Sequence, residues 1–213
     1  LLNPDDAYRA IVAQLDGLPW HLAPSVTAIR PQNRKSLNFF PGQRGYAGQR
    51  FPIGGVMVVA NNFTSLNGWA EYRASPDRES VTPTWRKMRV MLEGSGLPID
   101  RFWFTNYCLG IMDRDVESYE FPAVVVKTLR FRQFFEASAE AMRPSVIVSL
   151  GRPAARHLST DYEHRERIDV REFGTHTTKL IAAVHPSAWT WRGKGFGEDD
   201  FRREGARIAE AAA

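Results

Sequence analysis

Three apolar runs in this chain each stop at a polar side chain able to do chemistry. Residues 180–184 close on His185, Pro186 and Ser187, and the aromatic and basic residues Trp189, Trp191 and Arg192 follow. Residues 56–60 close on Asn61 and Asn62, and the run Trp103-Phe104-Thr105 closes on Asn106. Short continuous apolar runs are the pattern of parallel strands buried on both faces, and the carboxyl ends of such strands open on the crevice where α/β proteins hold ligands. An imidazole can donate a hydrogen bond, and a carboxamide offers an acceptor and a donor side by side. Three such ends could build one site.

The intervening sequence supplies the elements that would position them. Asn3 as cap, Pro4 in the first turn and Tyr8, Ile11, Val12 and Leu15 at helical spacing predict a first helix that ends at Gly17. Residues 19–55, rich in Pro, Gly, Asn and Arg, have no sustained period and read as one long irregular segment lying on a single domain that spans 1–213. Strands are expected at 56–60, 102–105, 146–150 and 180–184. Helices are expected from Thr82-Pro83, with Trp85, Met88 and Leu92 on one face, over 124–142, after the turn Gly151-Arg152-Pro153, and from Asp199 onward. Strands alternating with helices predict an α/β fold with a parallel sheet covered on both faces.

Composition narrows the classes. With 213 residues, 43% of them hydrophobic, the chain can bury one substantial core. It carries a net charge of +4, and with lysine only at 35, 87, 127, 179 and 194, arginine supplies most of the positive charge. The planar arginine fork suits phosphate contact, although a modest excess of arginine is equally an ordinary solvated surface. Cys108 is the only cysteine, which excludes an internal disulfide, a cysteine zinc site and a multi-thiolate cluster, and suggests a reducing, cytoplasmic setting. No stretch approaches the roughly 20 apolar residues of a membrane helix, and the opening Leu1-Leu2-Asn3-Pro4 lacks a signal-peptide pattern. His21, His157, His164 and His176 lack ligand-like spacing, so no metal is assigned, and no P-loop, nucleophile elbow or dinucleotide fingerprint is present.

The order of these strand ends resembles the uracil-DNA glycosylase superfamily over residues 55–197, about two thirds of the chain. A polar end follows the first strand, an asparagine the second, a Leu-Gly turn the third, and His-Pro-Ser the fourth, with Phe196-Gly197 at the expected spacing. The resemblance implies a three-layer α/β/α sandwich whose four-stranded parallel sheet is ordered 2-1-3-4. It also implies a monomeric base-excision enzyme that flips uracil out of single- or double-stranded DNA and hydrolyses its N-glycosidic bond without a cofactor, leaving an abasic site.

Residue by residue, Asn62 falls on the family's carboxylate or amide position, Phe63 on its proline and Thr64 on its tyrosine. Asn62 would orient water and direct a dipole at a developing oxocarbenium ion, and Asn61 takes that role if the register slips by one. Thr64 in place of a bulky ring would admit 5-substituted uracils. Asn106 aligns with the base-reading asparagine, accepting from uracil N3–H and donating to O4. His185 would donate to O2 and stabilise the departing uracil anion. Tyr72, with Trp69 as competitor, would stack on the base. Ser65 and Ser187 would bind phosphates flanking the target, Trp189 or Trp191 would fill the gap left by the flipped nucleotide, and Arg192 would grip the backbone. The same residues admit structural roles, with Asn61-Asn62 turning the chain and Asn106 capping the next element. Two rival functions stay open: a non-catalytic nucleic-acid or nucleotide-binding protein of the same fold, and a glycosylase acting mainly on another deaminated base.

Overall fold

The computed structural model describes residues 3–28, 51–62, 70, 83–112, 121–187 and 196–213. Its strands are β1 (Val26–Ala28), β2 (Val56–Ala60), β3 (Phe102–Asn106), β4 (Gly110–Met112), β5 (Val146–Leu150), β6 (Asp169–Phe173) and β7 (His176–Ala183). Its α-helices of eight residues or more are α1 (Pro4–Asp16), α2 (Pro83–Ser95), α4 (Phe131–Met142), α5 (Gly151–Leu158) and α6 (Glu198–Ala212), with the short α3 (Ala123–Thr128) preceding α4.

Every residue of β2, β3 and β5 is buried, so both faces of these strands must be covered. Side-chain alternation sorts them between two cores. Met57, Val59, Trp103, Ile147 and Leu180 pack with α1 and α4 through Ile11, Leu15, Phe131 and Phe134. Val58, Phe104, Val148, Ile181 and Ala183 pack with α2 and α6 through Trp85, Met88, Phe201 and Ile208. Helices thus flank a mostly parallel sheet. On the second face α2 and α6 touch through their backbones. A Cβ on Gly205 would lie 2.0 Å from Met91 O, and one on Gly94 would lie 2.5 Å from Arg202 O.

The sheet has five strands in the order β3-β2-β5-β7-β6, so its four parallel strands follow the expected order 2-1-3-4, while the expected four-stranded, all-parallel sheet is corrected by a fifth, antiparallel strand. The difference lies at the far edge. β7 begins at His176 rather than at residue 180, and β6 pairs with it antiparallel from Asp169↔Leu180 to Phe173↔His176. Gly174, at φ 56°, makes the tight turn between them. The sequence of β6 alternates half-buried and exposed residues, as an edge strand does, so it lacks the continuous apolar signature of its buried neighbours.

Two further expectations change. The helix foreseen over 124–142 is two helices, because Arg130 adopts φ 54° and interrupts the hydrogen-bond ladder. The segment foreseen as irregular over 19–55 contributes a 3-10 turn (Trp20–Leu22) and β1, which pairs antiparallel with β4. Among the described residues no helix is long and apolar enough to cross a membrane.

Candidate active site

Register brings the carboxyl ends of four parallel strands level with one another. Ala60 pairs with Asn106, Val59 with Ser149, and Leu150 with Ala183. The residues that end or follow these strands are therefore Asn61 and Asn62 after β2, Asn106 at the end of β3, Gly151 after β5, and His185 beyond β7. They lie along one edge of the sheet.

Asn61 and Asn106 are held close together by backbone bonds that continue the β2–β3 ladder past its last pair. Tyr107 N–H donates to Ala60 O at 2.8 Å, and Cys108 N–H donates to Asn61 O at 2.8 Å. Both carboxamides are buried, Asn61 at 8% exposure and Asn106 at 2%. The Asn61 amide nitrogen donates to Asn62 Oδ1 at 3.4 Å, which leaves Asn61 Oδ1 buried with no donor. Asn106 makes further interactions, and its Oδ1 is a second buried oxygen without a donor. Buried polar atoms nearly always find partners, so such an acceptor at a strand end is unusual and costs free energy in a resting protein.

His185 shows the opposite arrangement. Its Nδ1 accepts from Ser187 N–H at 3.1 Å, so the proton of the neutral ring resides on Nε2. Burial pushes the imidazole down to about 4, which keeps it neutral at physiological pH. The site thus holds a fixed neutral donor on the β7 side and amide acceptors on the β2–β3 side. Among the described residues there is no His, Cys, Asp or Glu cluster that could hold a metal.

No family model and no curated protein matches this chain.

Of the residues singled out in the sequence, Asn61, Asn62, Asn106, His185 and Ser187 are described, and all belong to this edge of the sheet. The backbone N–H of Ser187, expected at a phosphate, is engaged by His185. Phe63, Thr64, Ser65, Trp69, Tyr72, Trp189, Trp191 and Arg192 lie outside the described residues. Phe196 stacks edge-on against Phe201, with centroids 5.1 Å apart, and so anchors the start of α6.

Two residues that pattern alone does not single out complete the arrangement. Gly151, at φ +80°, lies so near His185 that a Cβ there would sit 2.9 Å from the histidine Cβ. The Leu-Gly turn is the only sequence signal for it. Tyr107 is buried, and its ring lies parallel to that of His157 at 4.4 Å and 4°. Desolvation raises its phenol to about 12, so it stays protonated. A cleft of about 680 Å³ adjoins the same ring pair, walled by Arg132, Glu136, Glu140 and Arg171. None of the strand-end asparagines lines it, and neither does His185. Its arginines are already engaged, Arg132 with Glu136 at 2.7 Å and Arg171 with Leu158 O at 2.7 Å.

Proposed function

We propose that the protein is a DNA glycosylase that accepts a flipped uracil at this edge of the sheet and hydrolyses its N-glycosidic bond, leaving an abasic site. The observation that carries the reading is the neutral imidazole of His185 with its proton on Nε2, placed across the strand ends from Asn106. Three strand spacings separate β3 from β7, about 14 Å between backbones, and in this reading one pyrimidine ring bridges the two side chains across that gap. The order of strand ends seen in the sequence resemblance supports the same assignment, including the three-layer architecture.

In this mechanism the C1′–N1 bond breaks with its electron pair going to the base. Negative charge then grows on uracil O2 and N1, where a hydrogen bond from His185 Nε2 strengthens as the bond lengthens. Such a bond favours the transition state over bound substrate, and only that difference accelerates the step. A neutral imidazole suits this role, since it stabilises the anion without having to surrender a proton. Asn61 Oδ1, left without a donor because its amide nitrogen faces Asn62, accepts from the attacking water and turns its dipole toward the cationic sugar. Water adds to C1′, and the proton it releases neutralises the uracil anion, which departs as free uracil. Asn106 reads the base, its oxygen accepting from N3–H and its amide donating to O4, a pattern that cytosine opposes.

Asn61 and Asn62 are amides where a carboxylate would be the stronger base, and this favours a second reading as a non-catalytic nucleic-acid binder. Incubation with a uracil-containing oligonucleotide followed by alkali separates the two: cleavage at the uracil position supports the glycosylase, whereas retention on a native gel with an intact strand supports the binder. A panel carrying deaminated purines and 5-hydroxymethyluracil separates uracil from other lesions. A cytoplasmic, nucleoid-associated monomer is the setting that fits this activity.

A further inference from the structure

We propose that α5 acts as a spacer that positions the base-reading and leaving-group side chains relative to each other, with His157 as a positioning residue for Asn106. The inference rests on the glycosylase reading only for the identity of the ligand, because the contacts themselves are independent of it. At the start of α5, Gly151 lies against His185, and in its last turn His157 stacks on Tyr107. The helix therefore touches the residue adjoining Asn106 at one end and the imidazole at the other. Gly151 and His157 stand six residues apart, about 9 Å along the helix axis at about 1.5 Å per residue.

The Tyr107 end bears directly on the reading site. Its backbone N–H holds Ala60 O, and the next N–H holds Asn61 O, both at 2.8 Å, so displacement of the Tyr107 ring would loosen Asn61 and Asn106 together. The ring is fixed on its flank by Phe135, at 5.8 Å, which itself meets Phe173 edge-on. The flat contact with His157 fixes its face. A carboxamide discriminates uracil from cytosine only when it is held in one orientation, so a rigid support is a condition of specificity rather than a packing detail.

The test is His157→Ala, which removes the stack, against His157→Phe, which retains it. His157→Ala should speed hydrogen exchange of the Tyr107 and Cys108 amides by about tenfold or more, with His157→Phe near the wild-type rate. Single-turnover excision of uracil should fall about tenfold in His157→Ala with DNA affinity changed by less than about twofold, and His157→Phe should restore it. In the Asn106→Ala background, the cost of His157→Ala should shrink from about tenfold to about threefold, because only the Asn61 part of its effect is then left. Unchanged exchange at Tyr107 and Cys108 would overturn the proposal whatever the activity, and so would a full additive loss in the double variant. Accelerated exchange in His157→Ala, together with a wild-type protein that excises no uracil, would leave the spacer standing and refute the glycosylase.

Discussion

Gly151 and His185 are in such close contact that a methyl group at residue 151 would lie 2.9 Å from the histidine Cβ, closer than real Cβ atoms approach. Gly151 also holds φ +80°, a conformation that L residues rarely adopt. Gly151→Ala should therefore lower stability by about 1–3 kcal/mol through backbone strain. Because relief would come from movement of His185, uracil excision should fall further than the stability loss accounts for. Urea unfolding and single-turnover excision measured well below the transition would separate the two effects, and an active, strained variant would show that the contact does not place the imidazole.

Backbone contact between α2 and α6 makes a second, purely structural prediction. A Cβ at Gly205 would lie 2.0 Å from Met91 O and 2.7 Å from Ser95 N, atoms that cannot rotate aside. Gly205→Ala should force the helices apart and cost about 2–3 kcal/mol or more. The strand-end residues lie elsewhere, so the variant should keep its specific excision rate at a temperature where it remains folded. Thermal denaturation checks the first statement and single-turnover kinetics the second.

Much of this arrangement was legible in the sequence, for identifiable reasons. Strands β2, β3 and β5 are apolar throughout because helices cover both faces, and an uninterrupted run such as Val56 to Ala60 carries that information locally. The polar residues that close these runs were legible for the same reason. The β6 edge strand was not, since Val170 and Glu172 face solvent and its pairing with β7 depends on a turn at Gly174 that composition barely marks. The break at Arg130 escaped because the apolar face formed by Leu129, Phe134, Phe135 and Met142 continues across it. The seat of His185 on Gly151 and the stack of His157 under Tyr107 are long-range contacts, and no local pattern encodes them.

The imidazole of His185 gives a pH prediction with a definite sign. The unfolded ring gains a proton below about 6.5, whereas burial keeps the folded ring neutral until about 4. Between those values the unfolded state binds more protons, so this group removes stability as pH falls from 6.5 toward 4 and has no further effect below that. His185→Gln should abolish that part of the slope, and the difference between the two stability profiles isolates it from His164, which Asp161 holds above its ordinary value. The wild-type excision rate should show no inflection near 6.5, and His185→Ala should lose about 10²–10³-fold. An inflection near 6.5 that disappears in the variant would mean that a protonated imidazole takes part.

Asn61 and Asn62 make opposite predictions for stability and turnover. Asn61 Oδ1 is buried with no donor, a condition that costs a folded protein about 1–3 kcal/mol, and its amide nitrogen donates to Asn62 Oδ1 at a long 3.4 Å. Removing the carboxamide in Asn61→Ala should leave stability unchanged or raise it by about 1 kcal/mol. The same change should lower uracil excision about 10²-fold, because the acceptor for the attacking water is gone. Asn62→Ala should have a smaller effect, since Asn62 acts by holding the Asn61 amide nitrogen and so fixing which atom is left as the acceptor. Chemical denaturation and single-turnover excision of both variants decide the matter. A stability loss with full activity in Asn61→Ala would make Asn61 a structural turn residue, and a larger rate loss in Asn62→Ala would move the water to the second amide.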